Sequence, residues 1–456
     1  MQSISMRTDL YQLTMAQGYW KLGKDQQRAV FDLYFREHPF NGGYTIVCGL
    51  ESLAKLAEHF CFTKADIDYL STLCGNDQKP LFYPDFLQVL LTLQLTINID
   101  AIPEGTAVFP KEPLLRVEGP LWECQLLETV LLNLINFPTL IATKASRICH
   151  AAGGDEIVEF GLRRAQGPDG GLTASRAAFV GGASSTSNVL AGQTFGIPVK
   201  GTHAHSWVMA FKDEQEAFDA YAEVLPNNCI FLVDTYDSLK GVRHAIQTGL
   251  KLKAKGHQFV GIRLDSGDLA KLSIEARKLL DEAGFSEAII VASNELDEYR
   301  IAKLKSEGAA ISVWGVGTRL ATAYDQPALG GVYKLVALRG EDGQWYYKEK
   351  RTDDVRKKTM PGIHQVRRIS RQGQFARDIV YDIYTPFHLQ VMEEETYEDL
   401  LVPIVQNGKW IYNPPSLIDI QKRTISQIKL LPREITTLTP IGHYPVILSL
   451  PGASLL

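Results

Sequence analysis

The chain has 456 residues, 45% of them hydrophobic and 22% charged, enough to bury two or three separate cores in a soluble globular protein. With 47 Lys and Arg against 52 Asp and Glu, its net charge of -5 supplies no global attraction to nucleic acid or to an anionic membrane surface. Its six cysteines are scattered without a CxxC, so neither a disulfide framework nor a zinc ribbon is expected, and a reducing cytoplasm suits them best.

In chain order, the opening MQSISMRTDLYQLTMAQGYW lacks the basic start and continuous apolar core of a signal peptide. AVFDLYFREHPFNGGYTIVCGL reads as two strands around the turn Asn41-Gly42-Gly43, and LESLAKLAEHF as the helix that follows. EGTAVFPKEPLLRVEGP reads as strands broken by turns. The most apolar run, LLETVLLNLINFPTLIAT, is interrupted by Glu128, Asn133, Asn136 and Pro138, which predicts a buried helix and not a membrane span.

From about Asp155 short apolar runs alternate with amphipathic ones. The runs are EIVEFGLRR, IPVKGTHAH, CIFLVDTYD, QFVGIRLDSGD, AIIVASNEL, ISVWGVGTRL and GVYKLVAL, several of them roughly 20 to 30 residues apart, the length of a strand-helix unit. DLAKLSIEARKLLDEAGF puts Leu269, Leu272, Ala276, Leu279 and Leu280 on one face and stops at Gly284. LDEYRIAKLKSEGA does the same, with Asn294 able to cap its start and Gly308 beyond its end. This rhythm predicts a parallel sheet curled into a barrel. The expected organisation is a barrel over 121-335, flanked by an α/β domain built from 1-120 and 336-456. In the last part, QWYYKEKRTDDVRKKTMPGIHQVRRISRQG is strongly basic: a solvated β-rich surface, or a dock for a phosphorylated partner or substrate.

Loops at the C-terminal ends of barrel strands carry chemistry, and there this sequence turns polar. Arg163 and Arg164 follow EIVEFGL, His203 and His205 follow IPVKG, Asp234 follows IFLV, Arg263 and Asp265 lie in GIRLDSGD, and GVGTR follows ISVW. In GVGTRL, Gly315 and Gly317 let a backbone approach phosphate, Thr318 offers a hydroxyl and Arg319 a forked cation. In RLDSGDLAKLS, Ser266 suits a helix cap and Asp268 the helix dipole, whereas Asp265 lies before the turn and suits ribose hydroxyls or hydrated Mg2+. Strand alternation turns Arg263 to the same side as Asp265. Phe160 is either core or a ring that stacks on a flat heterocycle. The two histidines could share a metal, one could be a nucleophile, or both could be loop residues.

These segments identify a resemblance. TDLYQLTMAQGYW, EFGLRRAQGPDGGLTASRAAFVGGASSTSNVLAG, GTHAHSWV, GIRLDSGDL and WGVGTRL, in that order, make the chain similar to nicotinate phosphoribosyltransferases, of the type II phosphoribosyltransferases, over nearly its whole length. The resemblance implies an irregular, incomplete (β/α) barrel, a homodimer with shared active sites, and the first committed step of NAD synthesis from nicotinate. Phosphoribosyl pyrophosphate is then the second substrate, ATP hydrolysis is coupled, and Mg2+ accompanies both; no structural metal is implied. By the GTxAH pattern His205 is the phosphohistidine, and His203 falls at a variable position. Tyr11 resembles the tyrosine that crosses from the partner subunit onto the pyridine ring, opposite Phe160. Thr202 and Arg263, helped by Arg163, would hold nicotinate; Asp265 the ribose or pyrophosphate; Gly315, Gly317, Thr318 and Arg319 the 5-phosphate. Two other readings are the sister enzyme that takes nicotinamide and a barrel that binds phosphoribosyl ligands without turnover. Against the first stands SSTSN, Ser184 to Asn188, which carries no carboxylate where nicotinamide-using relatives place an aspartate.

Overall fold

The computed structural model describes residues 3-350, 359-385 and 392-449. It divides into two compact units: Met1–Leu140 with Ala328–Leu456, and Ile141–Pro327. The dividing points lie at 140 and 328, against the expected 120 and 336. The first falls inside the helix Glu128–Ala152, where no turn residue marks it. That helix is the apolar run expected to be buried; it carries Pro138 in its interior. Among the described residues no helix is long and apolar enough to cross a membrane.

The unit Ile141–Pro327 is an arc of six parallel strands: β1 (Glu156–Glu159), β2 (Ser185–Thr186), β3 (Ile230–Leu232), β4 (Gly261–Leu264), β5 (Ile289–Ala292) and β6 (Val313–Val316). Their spatial order is β2-β1-β6-β5-β4-β3, every neighbouring pair parallel. β2 and β3 end the arc, and the segment from Pro198 to His203 spans between them. It makes a parallel bridge, Thr186 to Val199, on one side. On the other, His203 Nε2 accepts the Leu232 N–H at 3.2 Å. The result is the irregular, incomplete barrel that the rhythm and the resemblance predict. Val158, Val291 and Val313 from three strands pack together, with Phe160, Ile230 and Ile289 against them.

Several local expectations need correction. IPVKG is not a strand: its backbone meets the sheet at that single bridge, and the edge strand is Ser185–Thr186, in a stretch too polar to look like one. GVYKLVAL forms the strand Gly331–Arg339, but it pairs antiparallel with Arg28–Phe35 in the other unit. Asp297, not Asn294, caps the helix Glu298–Ser306, accepting from Arg300 N; Asn294 instead has φ +92°. Asp268, not Ser266, caps Leu269–Glu282, while Ser266 donates its hydroxyl to Asp234. In that helix Leu269, Ala276 and Leu280 are buried as expected.

The unit made from both chain ends contains a seven-stranded sheet. Its spatial order is Trp345–Tyr347, Gly331–Arg339, Arg28–Phe35, Leu115–Pro120, Asn98–Ala101, Val402–Gln406 and Lys409–Trp410. A four-stranded sheet runs Glu395–Asp399, His364–Arg371, Gln374–Asp382, Val446–Ser449. The expected hairpin around Asn41 is absent. Arg28–Phe35 has both edges taken by Leu115–Pro120 and Gly331–Arg339, and Thr45–Ile46 pairs with Ala107–Val108. The helix expected next is present as Leu50–His59. Within the basic segment, residues 351-358 lie outside the described residues. Further on, Arg367 pairs with Asp399 at 2.8 Å, and the fully buried Arg368 pairs with Asp378 at 2.5 Å. Those two cations bind the sheet together and are not free for an outside phosphate.

Candidate active site

The strand ends of the arc gather most of the residues singled out. Phe160 follows β1, Thr202 lies in the bridging segment with His205 just past it, and Asp234 and Thr235 follow β3. Arg263 lies in β4 with Asp265 just past it, Ser293 follows β5, and Gly315 to Thr318 leave β6. β4 is second from one end of the arc, so its last residues have neighbours on both sides.

Arg263 is the hub. Its Nε donates to Ser293 Oγ at 2.9 Å, Nη1 to Thr202 Oγ1 at 3.0 Å, and Nη2 to Asp265 Oδ1 at 3.0 Å. Its guanidinium carbon lies 5.4 Å from the centre of the Phe160 ring, a cation–π contact. A guanidinium has five N–H donors, and these bonds use three, so a ligand carboxylate can still be received. Burial pushes the Asp265 carboxyl up, but the Ser293 hydroxyl and the Arg263 charge outweigh it and hold it below its ordinary value. Asp265 therefore stays ionised at neutral pH. Its backbone N–H is received by Asp234 Oδ2 at 2.9 Å. Asp234 Oδ1 is buried and has no hydrogen-bond partner among the described residues.

The two histidines separate. His203 is buried; Nε2 accepts from Leu232 N–H, so the ring proton is on Nδ1, facing the Ala204 carbonyl at 3.3 Å. Burial pushes its pKa down to about 4, and it stays neutral. Its lone pair is spent on the sheet. His205 opens the helix His205–Met209, half-buried, with Nδ1 3.1 Å from Thr235 Oγ1 and Nε2 3.7 Å from Asp265 Oδ2. Of the pair, it alone faces the Arg263 cluster. The two rings do not point at a common metal. Among the described residues no group of three or more His, Cys, Asp and Glu could hold a metal ion.

Phe160 lies flat on β6: a Cβ on Gly315 would sit 2.5 Å from two carbons of its ring, so only glycine fits. Behind the ring the buried Glu159 accepts from Ser175 Oγ at 2.8 Å, from Thr186 Oγ1 at 2.6 Å and from Gly161 N–H. That carboxylate ties the end of β1, the helix Gly167–Val180 and β2 into one support for Phe160. Asn188 is buried beside it, capping Val189–Phe195 through Ala191 N–H and donating to Ser175 Oγ at 3.1 Å. The neighbourhood of SSTSN thus does hold a carboxylate, Glu159, contributed from another strand.

Three other expected site residues have these surroundings. Arg163 is exposed on the 3-10 turn Leu162–Arg164. Arg319 lies against Glu295, Asp297 and Asp325. Tyr11 belongs to the other unit, where it is exposed beside Leu10 and Met15 on the helix Leu10–Lys21. Sequence reading missed Ser293, Thr235 and Glu159. Ser293 and Thr235 leave only the common signal of a serine or threonine near the end of an apolar run, and Glu159 that of a charge at the end of a strand.

Family models now meet this geometry. The nicotinate phosphoribosyltransferase N-terminal domain matches residues 6-136, the nicotinate phosphoribosyltransferase family 156-370 and the C-terminal domain of the same enzymes 376-455. The nicotinate phosphoribosyltransferase of Bacillus subtilis is 44% identical over 465 aligned positions, covering 98% of this chain and 93% of its own. The chain belongs to the nicotinate phosphoribosyltransferase family. The crystal structure of human nicotinic acid phosphoribosyltransferase agrees in fold, with a TM-score of 0.83 at 33% identity over 97% of each chain. Nicotinate-nucleotide pyrophosphorylase from Pyrococcus furiosus, at 24% identity and a TM-score of 0.73, shares the fold. Within the family frame, the Arg263 cluster sits on the segments whose motifs carried the resemblance.

Proposed function

We propose that the protein transfers phosphoribose to nicotinate, forming nicotinate mononucleotide and pyrophosphate from nicotinate and phosphoribosyl pyrophosphate, as an NAD salvage step in the cytoplasm. The observation that carries this reading is Arg263, fixed by Ser293, Thr202 and Asp265 against the Phe160 ring. A flat heterocycle with a carboxylate meets both a ring face and a pre-oriented cation there. Phe160 stacks on the pyridine, Arg263 and Thr202 receive its carboxylate, and Arg163, exposed on its turn, can swing toward the same group. Asp265 faces the ribose, and the Gly315-Thr318 turn receives the 5-phosphate. As pyrophosphate departs, positive charge grows at the ribose carbon beside an ionised Asp265, and the pyridine nitrogen attacks that carbon. Orientation and charge placement supply the rate.

Asp265 and Asp234, whose buried Oδ1 has no partner among the described residues, would hold a Mg2+ accompanying the substrates, and it would supply charge neutralisation to the pyrophosphate leaving group. ATP is coupled through His205. A neutral imidazole nitrogen takes the γ-phosphoryl group, ADP leaves, and water later releases phosphate. Tyr11 of one copy completes the site of another in a homodimer. Incubation with nicotinate or nicotinamide, phosphoribosyl pyrophosphate, Mg2+ and ATP, followed by product analysis, tests the reading. Nicotinate mononucleotide is expected. Preference for nicotinamide in competition between the labelled bases would move the protein to the sister reaction, and binding without any product would make it a sensor.

A further inference from the structure

Arg319 directly follows the Gly315-Thr318 turn, and carboxylates surround its guanidinium. Nη1 lies 3.3 Å from Asp325 Oδ1 and 3.7 Å from Asp297 Oδ2, and Nε lies 3.6 Å from Glu295 Oε2. The guanidinium also sits over the Tyr324 ring, 4.4 Å from its centre. Through its other oxygen Asp325 grips Nζ of Lys144, a fully buried side chain. Lys144 Nζ contacts Glu298 Oε2 at 2.7 Å, and Glu298 Oε1 accepts from Arg147 Nε at 2.9 Å. A chain of alternating charge therefore runs Arg147, Glu298, Lys144, Asp325, Arg319, from the long helix to the turn. With Glu295 and Asp297 added, four carboxylates face three cations among the described residues of this chain of pairs. That excess is the wrong sign to draw a phosphate onto Arg319.

The buried pairs of Glu298 with Lys144 and Arg147 lose in desolvation much of what they gain in attraction, and the part-exposed pairs of Arg319 are weakened by water, so stability alone does not explain them. They do fix geometry. We propose that Arg319 is a positioning residue and not a phosphate ligand. Asp325, anchored on buried Lys144, holds Arg319, and Arg319 holds the short helix Thr318–Ala321 so that the preceding turn presents its N–H groups and the Thr318 hydroxyl to the 5-phosphate. This rests on reading Gly315-Thr318 as the phosphate receiver.

The two possible roles of Arg319 predict opposite effects of removing its partner. Full-length wild type, R319A, D325N and the double variant are titrated with Mg2+ and phosphoribosyl pyrophosphate by calorimetry, and their steady-state kinetics are measured. Both single variants should raise Kd and KM for phosphoribosyl pyrophosphate about tenfold, leaving kcat and the nicotinate KM within about twofold. The double variant should be no worse than the worse single one, because both changes break the same chain. Tighter phosphoribosyl pyrophosphate binding by D325N would mean that a freed guanidinium is a ligand, and overturns the proposal. Unchanged affinity in R319A overturns it too. If D325N, which takes one carboxylate away from buried Lys144, fails to fold, D297N serves instead, since asparagine caps a helix as well as aspartate. Affinity at or below that of wild type supports positioning, and tighter binding refutes it. Calorimetry needs no turnover, so a wild type that binds but makes no product sinks the proposed activity and leaves this comparison intact.

Discussion

His203 and His205, two residues apart, meet opposite environments, and the difference sets two predictions. His205→Ala should abolish acid-labile, base-stable labelling from γ-labelled ATP and the stimulation by ATP. His203→Gln should keep both, because its amide oxygen can still accept the Leu232 N–H. Label that persists in His205→Ala would reverse the assignment. The second prediction concerns acid. His203 binds a proton more weakly folded, with a pKa of about 4, than unfolded, where 6.5 is usual. Its contribution is complete above about pH 6.5 and is lost as pH falls toward 4, at most about 3 kcal/mol. Thermal unfolding across that window should show wild type losing more stability than His203→Gln; parallel curves would exclude the effect. Arg263 and Asp265 were legible from strand alternation alone. Ser293 and Thr235 were not, since what makes them partners is which strand lies beside which, and β5 reaches β4 only through the fold. Arg319 was legible as a cation, but its carboxylate surroundings come from two other loops.

At the level of elements, caps and close approaches separate support from chemistry. Asp268 caps Leu269–Glu282 through Lys271 N–H. Asp268→Ala should cost about 1 kcal/mol in denaturant unfolding and leave kcat unchanged. A large loss of kcat would return Asp268 to the reacting groups. Gly315→Ala should do the reverse. The new methyl meets the Phe160 ring at 2.5 Å, so the ring must tilt, and the nicotinate KM should rise about tenfold or more while the fold survives. An unchanged KM would show that Phe160 does not carry the base. The elements hidden in the sequence share one property. Ser185–Thr186 and the Pro198-His203 segment join the sheet through backbone groups, hydroxyls, the Lys200 ammonium and one histidine nitrogen, which apolar periodicity does not register. Long amphipathic helices were clear because burial of one face repeats along them.

For the whole molecule, the strand-helix rhythm marked the parallel unit, and strands were legible at both ends, but the one hairpin read from a turn there, at Asn41, is absent. The rhythm failed at Gly331–Arg339, an apolar run like the six before it that pairs antiparallel with a strand near the other end of the chain. Periodicity reports that a strand is buried, not which strand it joins. The shared-site reading makes a test at this scale. Tyr11→Ala and Arg263→Ala proteins, each inactive alone, should recover activity when mixed and allowed to exchange subunits, because some mixed dimers regain one intact site. No recovery after proven exchange would assign each site to a single chain.

The pairing of Ala29 with Leu338 also sets a timetable for the ribosome. When the first strand emerges, its partner on one side is roughly 300 residues from being made, about 15 to 60 seconds at ordinary elongation rates. Through that interval an apolar strand waits with an open edge, the kind of surface that recruits wrong partners and chaperones. The parallel unit between them is continuous in sequence and can finish first. A chain truncated after residue 330 and released should therefore protect 141-327 from protease while leaving the first 140 residues open to it. Synonymous codon changes that slow synthesis across the parallel unit should lower the soluble yield without altering a single side chain.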